Sequence, residues 1–402
     1  MGAACLPNHG GEYLAFVQTE SCPAARQAFP ARKQPNGDEH RGGAREPAER
    51  RDTACPDPAR LAVSGRSRIL RAVVSAAPVY AALARRELDT VLPIGSSLEE
   101  LSAGVWLLST RGSFADRTAE LSRTVFVRHC CPVSAEVPFA ADSPATLAAA
   151  LLPAALGCLR GVCCVQVQVR ILPASRTLSP GPLAAHLRAA LNGAGVHAVG
   201  GPADLALSLV ITDNLAFLGC SPVKQNLSPW PGGEARLRRD PAEISRAARK
   251  LEEAMILFRV EAPPGGRAVD LGAAPGGYTA FLLARGLQVV AVDTGQLSSG
   301  LVGKPGLTFL RGPAHGIPLP VGPFDLLTAD LSWDPLRAVE CALRFRPLLT
   351  SGAHGIFTIK FFGGDPLNIV ARARRRLEAG YRVLAVRHLF HDRDEATAHL
   401  RA

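Results

Sequence analysis

Two residues in the C-terminal half of the chain stand where they could do acid–base chemistry. Asp330 directly follows the apolar run 324–329, and Lys360 directly follows the largely apolar run 355–359. If both runs are parallel strands, these side chains project into the crevice at the carboxyl edge of the sheet. A lysine at the end of a buried strand is costly unless it is paired or functional, so Lys360 is a candidate catalytic residue.

Two further ionisable residues carry a weaker signal. Lys250 lies in a helical segment that precedes the first apolar strand of this half, and Glu395 lies in the polar stretch 391–395. Taken one by one, such residues are usually solvated, and a strand-end aspartate is often a helix cap. A catalytic role is favoured only by a pattern that joins all four residues.

A glycine-rich turn indicates a binding site for a nucleotide-like ligand. The apolar run 267–271 is typical of a buried strand, glycines and a proline interrupt it over 272–277, and a helix starts at 278–284. Glycines lack Cβ and let a ligand approach the backbone closely. A second apolar run, 288–292, ends at Asp293, where nucleotide-binding folds place an acid for ribose hydroxyls. The spacing is not G-x-G-x-x-G, so the acid strengthens a sign that is weak alone.

The composition bounds the class of protein. A chain of 402 residues predicts two or three domains, and an apolar fraction of 47% is sufficient for their cores. The longest apolar stretch, 147–159, is too short to span a membrane, and the N-terminus shows no secretory signal, so we expect a cytoplasmic protein without membrane contact. The net charge of +10 suits a polyanionic partner without proving one. The ten cysteines include no C-x-x-C spacing, so no metal site is predicted.

Sequence patterns divide the chain into four parts. Residues 1–67 are interpreted as mostly disordered, since 31–60 is rich in charge and has no large apolar side chain. Residues 68–220 predict a compact α+β domain, and 221–241 predict a linker rich in Ser, Pro, Gly and Arg. Residues 242–402 alternate strands and helices as a Rossmann-like, doubly wound α/β sheet does.

Individual elements follow from hydrophobic periodicity. Helices are predicted over 182–191 and 243–258. Strands are predicted over 105–108, 124–127, 164–171, 205–211, 267–271, 288–292, 307–310, 324–329, 355–360 and 381–387.

Five segments in this order resemble the FtsJ-type ribose 2′-O-methyltransferases: 245–254, 270–278, 329–330, 359–360 and 391–397. Within that superfamily the chain is most similar to the RlmM family, bacterial enzymes that methylate a cytidine ribose in 23S ribosomal RNA. Those enzymes carry an N-terminal THUMP-containing RNA-binding region, and the motif at 219–231 resembles their interdomain join. The resemblance is strong over 217–402, moderate over about 100–216 and poor before that.

The resemblance implies S-adenosylmethionine as cofactor, RNA as partner, no obligate protein partner and no metal. It matches Lys250, Asp330, Lys360 and Glu395 to the family's catalytic tetrad, with Lys360 as the general base. Residues matched to cofactor binding are Ala274, Pro275, Gly276, Gly277, Asp293 and Asp330. Arginines expected to bind RNA phosphates are Arg236, Arg238, Arg239, Arg246 and Arg249.

The chemistry of such a site is coherent. A ribose hydroxyl must lose its proton as it attacks the methyl group of a sulfonium. A lysine can accept that proton only when it is neutral, a form that desolvation and a nearby cation such as Lys250 favour. Asp330 and Glu395 favour the charged amine, so we expect them mainly to orient the lysines. No metal is required, because the sulfonium is already an activated leaving group.

Three departures from the family pattern leave alternatives open. Ala247 stands where the family often has a serine, Pro313 stands where it has an acid near the adenine amine, and Phe361-Phe362 replaces Leu-Pro. One alternative is therefore an RNA-binding protein that kept the fold but lost catalysis. Methyl transfer to a small-molecule hydroxyl is a third hypothesis, against which the basic linker and the THUMP-like region argue.

Overall fold

A computed structural model of the chain describes residues 69–140, 143–172, 178–238 and 243–402. The segment 1–67, predicted to be mostly disordered, lies outside the described residues. Within these residues the strands form three sheets, which in chain order have four, five and seven strands.

The first sheet has four strands, and each runs antiparallel to its neighbours. Numbered by their order in the chain, the strands lie side by side as second, third, first and fourth. Its elements are β1 (Ile69–Ala76), α1 (Ala81–Val91), β2 (Ser97–Ser102), β3 (Val105–Arg111), α2 (Phe114–Leu121) and β4 (Val127–Pro132). Successive side chains of β1 point to opposite faces, and both faces are covered. Val74 packs with Leu88 of α1, whereas Val73 packs against Val210 and Phe217 of the next sheet.

The strand predicted over 124–127 was wrong at its start, since β4 begins at Val127. The carboxylate of Glu87 on α1 accepts the backbone N–H groups of Val125 and Phe126 at 2.6 and 2.8 Å. These two amides therefore bind a side chain instead of a neighbouring strand.

The second sheet is mixed and is covered on one face by two helices. Its elements are β5 (Ala135–Pro138), α3 (Pro144–Cys158), β6 (Cys164–Ile171), α4 (Pro180–Gly193), β7 (His197–Val199), β8 (Leu205–Ile211) and β9 (Leu215–Pro222). The spatial order is β5-β9-β8-β6-β7, in which β6 is parallel to both of its neighbours. Leu183, Leu187 and Leu191 recur every four residues along α4 and are fully buried, as an amphipathic helix requires. None of the helices in the described ranges is long and apolar enough to cross a lipid bilayer.

Residues 223–238, within the predicted linker, pack against both of these sheets. The carbonyl of Asn226 accepts the N–H of Cys130 at 3.1 Å, and the carbonyl of Pro229 accepts the side-chain amide of Gln168 at 2.9 Å. Residues 223–238 therefore form an irregular segment after β9 that is fixed by hydrogen bonds to both sheets.

The third sheet has helices on both faces, as predicted for a doubly wound α/β fold. Its elements are α5 (Ala247–Phe258), β10 (Arg267–Leu271), α6 (Gly277–Ala284), β11 (Gln288–Asp293), β12 (Leu307–Arg311), β13 (Phe324–Ala329), α7 (Pro335–Phe345), β14 (Leu349–Lys360), α8 (Pro366–Leu377), β15 (Arg382–Arg387) and β16 (Glu395–Arg401). The order is β12-β11-β10-β13-β14-β16-β15, and the first five strands are parallel. Helices α5 and α6 cover one face, whereas α7 and α8 cover the other.

Two features of this sheet differ from prediction. Strand β16 was not predicted, and it runs antiparallel between β14 and β15. Helix α5 begins at Ala247 and not at 243, because Ser245 and Arg246 accept hydrogen bonds from the residues three positions later in a tighter turn.

The core is continuous between the first and third sheets. One cluster of buried apolar side chains contains Val74 and Phe126 together with Phe357 and Ile359 of β14. The first sheet is therefore packed directly on the sheet that carries the candidate site.

Candidate active site

The four ionisable side chains identified from the sequence meet in one closed ring of alternating charge. The ammonium group of Lys250 lies 2.5 Å from a carboxylate oxygen of Asp330 and 3.0 Å from one of Glu395. The ammonium group of Lys360 lies 2.7 Å from the other oxygen of Asp330 and also contacts the second oxygen of Glu395. Each carboxylate therefore bridges both amines.

Four different elements bring these side chains to one point. Lys250 comes from α5, Asp330 follows β13, and Lys360 is the last residue of β14. Glu395 is the first residue of β16 and stands opposite Lys360 in the antiparallel register. Because β13 and β14 are parallel neighbours, their carboxyl ends reach the same edge of the sheet.

The two lysine side chains differ in how deeply they are buried. The Lys250 side chain is 5% exposed, whereas that of Lys360 is 17% exposed. Burial alone would lower the pKa of Lys250, but Tyr278 and the carboxylates of Asp330 and Glu395 hold it well above its ordinary value. Burial alone would raise the pKa of Asp330, and the two lysines hold it below its usual range. Lys250 thus keeps its proton, and Lys360 is the amine that an incoming molecule can reach.

A fifth ionisable group, Asp392, lies buried close to the ring and was missed by the sequence analysis. Its carboxylate accepts a hydrogen bond from the Thr397 hydroxyl at 3.0 Å and one from the Leu389 amide at 2.9 Å. Burial raises the pKa of Asp392 to about 8, with Lys250 opposing that rise and Glu395 adding to it. The polar stretch around it resembles a solvated loop, so residue type alone gives no signal of this burial.

The glycine turn after β10 needs its glycines. Gly272 has φ 77°, and a Cβ there would lie 2.6 Å from the carbonyl oxygen of Asp330. Gly276 has φ 115°, and a Cβ there would overlap the Cδ1 atom of Leu301. Both positions combine a left-handed backbone with a close neighbour, so the turn can hold only glycine without shifting.

Asp293 ends β11 as predicted and fixes the same turn. Its carboxylate accepts the amides of Ala274 at 2.8 Å and Gly295 at 2.7 Å. A carboxylate can accept about four hydrogen bonds, so Asp293 retains capacity for hydroxyl donors from a ligand.

A cavity of about 260 Å³ adjoins the ring, and Asp330 belongs to both. Ala274 and Asp293 also line it, whereas Pro275, Gly276 and Gly277 are not part of its lining. Sequence analysis missed several lining residues, which follow the ends of β11, β12 and β13: Thr294, Gly312, Ala314, Leu331, Ser332 and Trp333. Their position after strand ends is the signal that could have identified them. In the parts of the chain that the structure describes, no group of His, Cys, Asp and Glu side chains is arranged to hold a metal ion.

The predicted phosphate-binding arginines differ in how they are engaged. Arg236 pairs with Glu234 at 2.8 Å, and Arg249 pairs with Glu243 at 3.1 Å. The remaining described members, Arg238 and Arg246, are exposed, and Arg239 lies outside the described residues.

Comparison with known proteins identifies the segment that carries this site. Residues 244–388 match the FtsJ-like methyltransferase family. This range contains three of the four ring residues and the whole glycine turn, and it ends before Glu395.

Proteins named ribosomal RNA large subunit methyltransferase M are similar to this chain. The protein from Methylococcus capsulatus is 34% identical over 215 residues, 50% of this chain and 59% of its own length. The protein from Halorhodospira halophila is 36% identical over 220 residues, 54% of this chain and 62% of its own length. The chain thus spans little more than half the length of the curated relatives it matches.

Among solved structures, TrmN from Thermus thermophilus is similar at a TM-score of 0.34 and 18% identity, covering 83% of this chain and 99% of that one. A likeness this low says nothing about function. The sequence similarity supports the resemblance seen in the motifs: residues 244–388 match the FtsJ-like methyltransferase family, and about half of the chain is similar to proteins named ribosomal RNA large subunit methyltransferase M.

Proposed function

We propose that this protein is an S-adenosylmethionine-dependent RNA methyltransferase that methylates a ribose 2′-hydroxyl. Its expected target is a cytidine of 23S ribosomal RNA, as in the RlmM family. The observation that carries the proposal is the closed ring of Lys250, Asp330, Lys360 and Glu395 beside the cavity that Asp330 shares. Two amines and two carboxylates at contact distance form an acid–base site next to a ligand-sized space.

We assign the adenosyl cofactor to this cavity on the basis of the residues that line it. A Cβ at Gly272 would crowd the turn beside this cavity, and Asp293 keeps free acceptor capacity at the strand end where ribose hydroxyls are held. Pro313 lines the cavity where the family has an acid, so this position offers no carboxylate to the adenine amine. Trp333 supplies an aromatic surface instead, with its ring 5.3 Å from that of His315. S-adenosylmethionine, when bound, supplies an electrophilic methyl group.

Lys360 is the residue placed to accept the proton of the attacking hydroxyl. It is the more exposed of the two lysines, and Lys250 is held protonated by its neighbours. An amine accepts a proton only after it has lost its own, so Lys360 must be deprotonated before the hydroxyl attacks. Asp330 and Glu395 hold both amines in place and balance the charge when Lys360 takes up the proton of the hydroxyl. Holding the hydroxyl about 3–3.5 Å from the methyl group contributes much of the acceleration in such a site.

The N-terminal part supplies the RNA-binding surface in this proposal. We propose that residues 68–220 form a THUMP-like RNA-binding region, that 221–241 form the linker and that 242–402 form the catalytic domain. The net charge of +10 and the exposed arginines Arg238 and Arg246 suit a polyanion. If the substrate is ribosomal RNA, we expect the protein to act in the cytoplasm.

The competing hypothesis is an RNA-binding protein without catalysis. Pro313 replaces the acid that the family has near the adenine amine. This difference favours the hypothesis of a non-catalytic protein only if the protein does not bind the cofactor. Calorimetric titration with S-adenosylmethionine separates the two: a saturable binding isotherm supports the enzyme, and its absence supports the binding protein.

The proposal predicts that Lys360→Ala abolishes methyl transfer to ribosomal RNA while binding of S-adenosylmethionine survives. The physical reason is that the variant loses the proton acceptor but keeps the cavity, whose lining does not include Lys360. Transfer of a labelled methyl group to RNA lacking the mark, together with calorimetry, measures both properties. Lys304→Ala, which removes an exposed lysine, is the control and should retain both. Undiminished transfer by Lys360→Ala would overturn the mechanism.

A further inference from the structure

A tyrosine of the first sheet unit reaches the candidate active site. Tyr80, in the turn between β1 and α1, donates its hydroxyl to a carboxylate oxygen of Asp394 at 3.0 Å and lies 3.2 Å from the carbonyl of Arg393. Asp394 directly precedes Glu395 of the ring. Tyr80 is 9% exposed, and burial with the Asp394 contact raises its pKa, so the hydroxyl remains a hydrogen-bond donor.

The ring of Tyr80 also packs beside the other end of the site. Its centroid lies 4.5 Å from that of His388, 4.9 Å from that of Phe126 and 6.0 Å from that of Phe361. Phe361 directly follows Lys360 and stands where the related family commonly has leucine. One side chain therefore contacts the immediate neighbours of both Lys360 and Glu395.

The two neighbours are themselves joined. The amide of Phe361 donates to the carbonyl of Asp394 at 2.8 Å, which extends the pairing of β14 and β16 by one step beyond Lys360 and Glu395. A displacement at Asp394 is thus transmitted to both ring residues through the backbone.

Further contacts hold the remainder of segment 388–394. Arg128 of β4 donates to the carbonyls of His388 at 3.1 Å and Leu389 at 2.6 Å. From the other side, Glu253 of α5 accepts the amide of Phe390 at 2.7 Å. Residues 388–394, which precede Glu395, are therefore hydrogen-bonded on one side to the first sheet and on the other to the helix that carries Lys250.

We propose that Tyr80 is a positioning residue, through which the N-terminal sheet holds Glu395 and Lys360 at contact distance in the ring. The inference rests on the proposed function, since it concerns the geometry of that site. Its physical basis is that reacting groups tolerate little displacement, and a shift of about 1 Å can cost about a hundredfold in rate. Ordinary interdomain packing would instead stabilise the fold without affecting turnover selectively.

The test compares two tyrosines that each lose only a hydroxyl. In Tyr80→Phe the ring contacts remain, and kcat for RNA methylation should fall about tenfold, while the KM for S-adenosylmethionine stays within about twofold. Tyr381→Phe is the matched control, because the Tyr381 hydroxyl is buried and donates to the carbonyl of Ala342 at 2.7 Å, between α7 and the start of β15. It should change Tm comparably and leave kcat unchanged. Equal kcat values for the two variants overturn the proposal.

A second pair of variants tests the hydrogen bond itself. Asp394→Asn keeps an acceptor oxygen for Tyr80 and should retain kcat, whereas Asp394→Ala should reproduce the loss seen in Tyr80→Phe. The double variant Tyr80→Phe/Asp394→Ala should be no worse than either single variant, since both remove the same interaction. Additive losses would contradict positioning through this contact.

Hydrogen exchange gives a readout that does not depend on activity. Amides over 389–396 should exchange faster in Tyr80→Phe than in Tyr381→Phe. Unchanged exchange in that segment overturns the positioning role whether or not the protein methylates RNA. Failure of the wild-type protein to methylate RNA overturns the proposed function instead, and the exchange result still decides whether Tyr80 holds the Glu395 segment.

Discussion

At the level of single residues, the ring derives its stability from mutual neutralisation. Two ammonium groups and two carboxylates lie within contact distance in a largely buried site. Removing one member of such a set leaves an uncompensated buried charge, which costs about 3–5 kcal/mol. Every ring substitution should therefore affect both activity and stability, and cofactor binding must be measured beside them.

Glu395→Gln should reduce methyl transfer at least about a hundredfold, because Lys250 and Lys360 then share one carboxylate and lose their fixed positions. Binding of S-adenosylmethionine should persist, since Glu395 is not part of the cavity lining. Rates on RNA and calorimetry measure the two effects. Glu378→Gln, at an exposed ion pair with Arg374, is the control, and an equally small effect of both substitutions would argue against the ring.

Asp392 makes the stability of the protein depend on pH. Its folded pKa of about 8 lies above the ordinary value of 3.8, so the folded protein binds this proton more tightly than the unfolded chain does. The resulting stabilisation is complete below about pH 4 and is lost as pH rises towards 8, by about 1.4 kcal/mol per pH unit. The free energy of unfolding of Asp392→Asn, relative to wild type, should therefore increase between pH 4 and 8. Urea unfolding at several pH values measures it, and a constant difference would contradict the assignment.

At the level of elements, the parallel strands β10 to β13 were predicted, whereas the antiparallel strand β16 was not. Strands β10 to β13 are short and mostly apolar, and their predicted bounds agree with the structure within one residue. Strand β16 has the sequence Glu-Ala-Thr-Ala-His-Leu-Arg, which alternates polar with apolar residues as a strand with one solvated face does. All its residues except Arg401 are nevertheless buried. Its polar groups are satisfied by tertiary partners: Thr397 binds Asp392, and His399 lies 2.9 Å from a ring nitrogen of His354. No local pattern reports such partners.

The same reason limits what could be predicted of the site. A family pattern was identified from the types and order of four residues: Lys250, Asp330, Lys360 and Glu395. Because Asp330 and Lys360 follow the ends of predicted parallel strands, they were expected at the same edge of the sheet. The buried contacts near the ring, Tyr80 with Asp394 and Thr397 with Asp392, join residues that are far apart in the chain or lie in a polar stretch. Such contacts depend on packing between sheets and leave no periodic signal.

The glycine turn gives a prediction at this scale. Gly276→Ala should weaken S-adenosylmethionine binding at least about tenfold, because its left-handed backbone costs about 1–3 kcal/mol and its Cβ would meet Leu301. Gly286→Ala is a matched control, since Gly286 has φ 79° and no atom within 4 Å of the added Cβ. Calorimetric titration of both variants measures the affinity, which Gly286→Ala should leave unchanged. Equal affinities of the two variants would contradict the role of the Gly276 turn in cofactor binding.

At the level of the whole molecule, the first of the three sheets in the described residues packs against each of the other two. The first sheet contacts the second through Val73 and Phe217, and it shares one core with β14. This continuity connects the N-terminal sheet to the sheet of the candidate site by direct packing.

The charge of the molecule predicts salt-dependent RNA binding. Replacing the exposed arginines Arg238 and Arg246 with glutamine should weaken binding and reduce the slope of log affinity against log salt by about one per lost contact. Filter binding at several salt concentrations measures the slope. The affinity for S-adenosylmethionine serves as the internal control, and an unchanged slope would exclude these arginines from the RNA interface.

The most direct measurement is a map of ribose 2′-O-methylation at single-nucleotide resolution in ribosomal RNA. It compares cells that make the wild-type protein, cells that make Lys360→Ala and cells that make neither. We expect one cytidine of the large-subunit RNA to carry the mark with the wild-type protein alone. Identical methylation in all three would contradict the assignment of this ring as a ribose methyltransferase site.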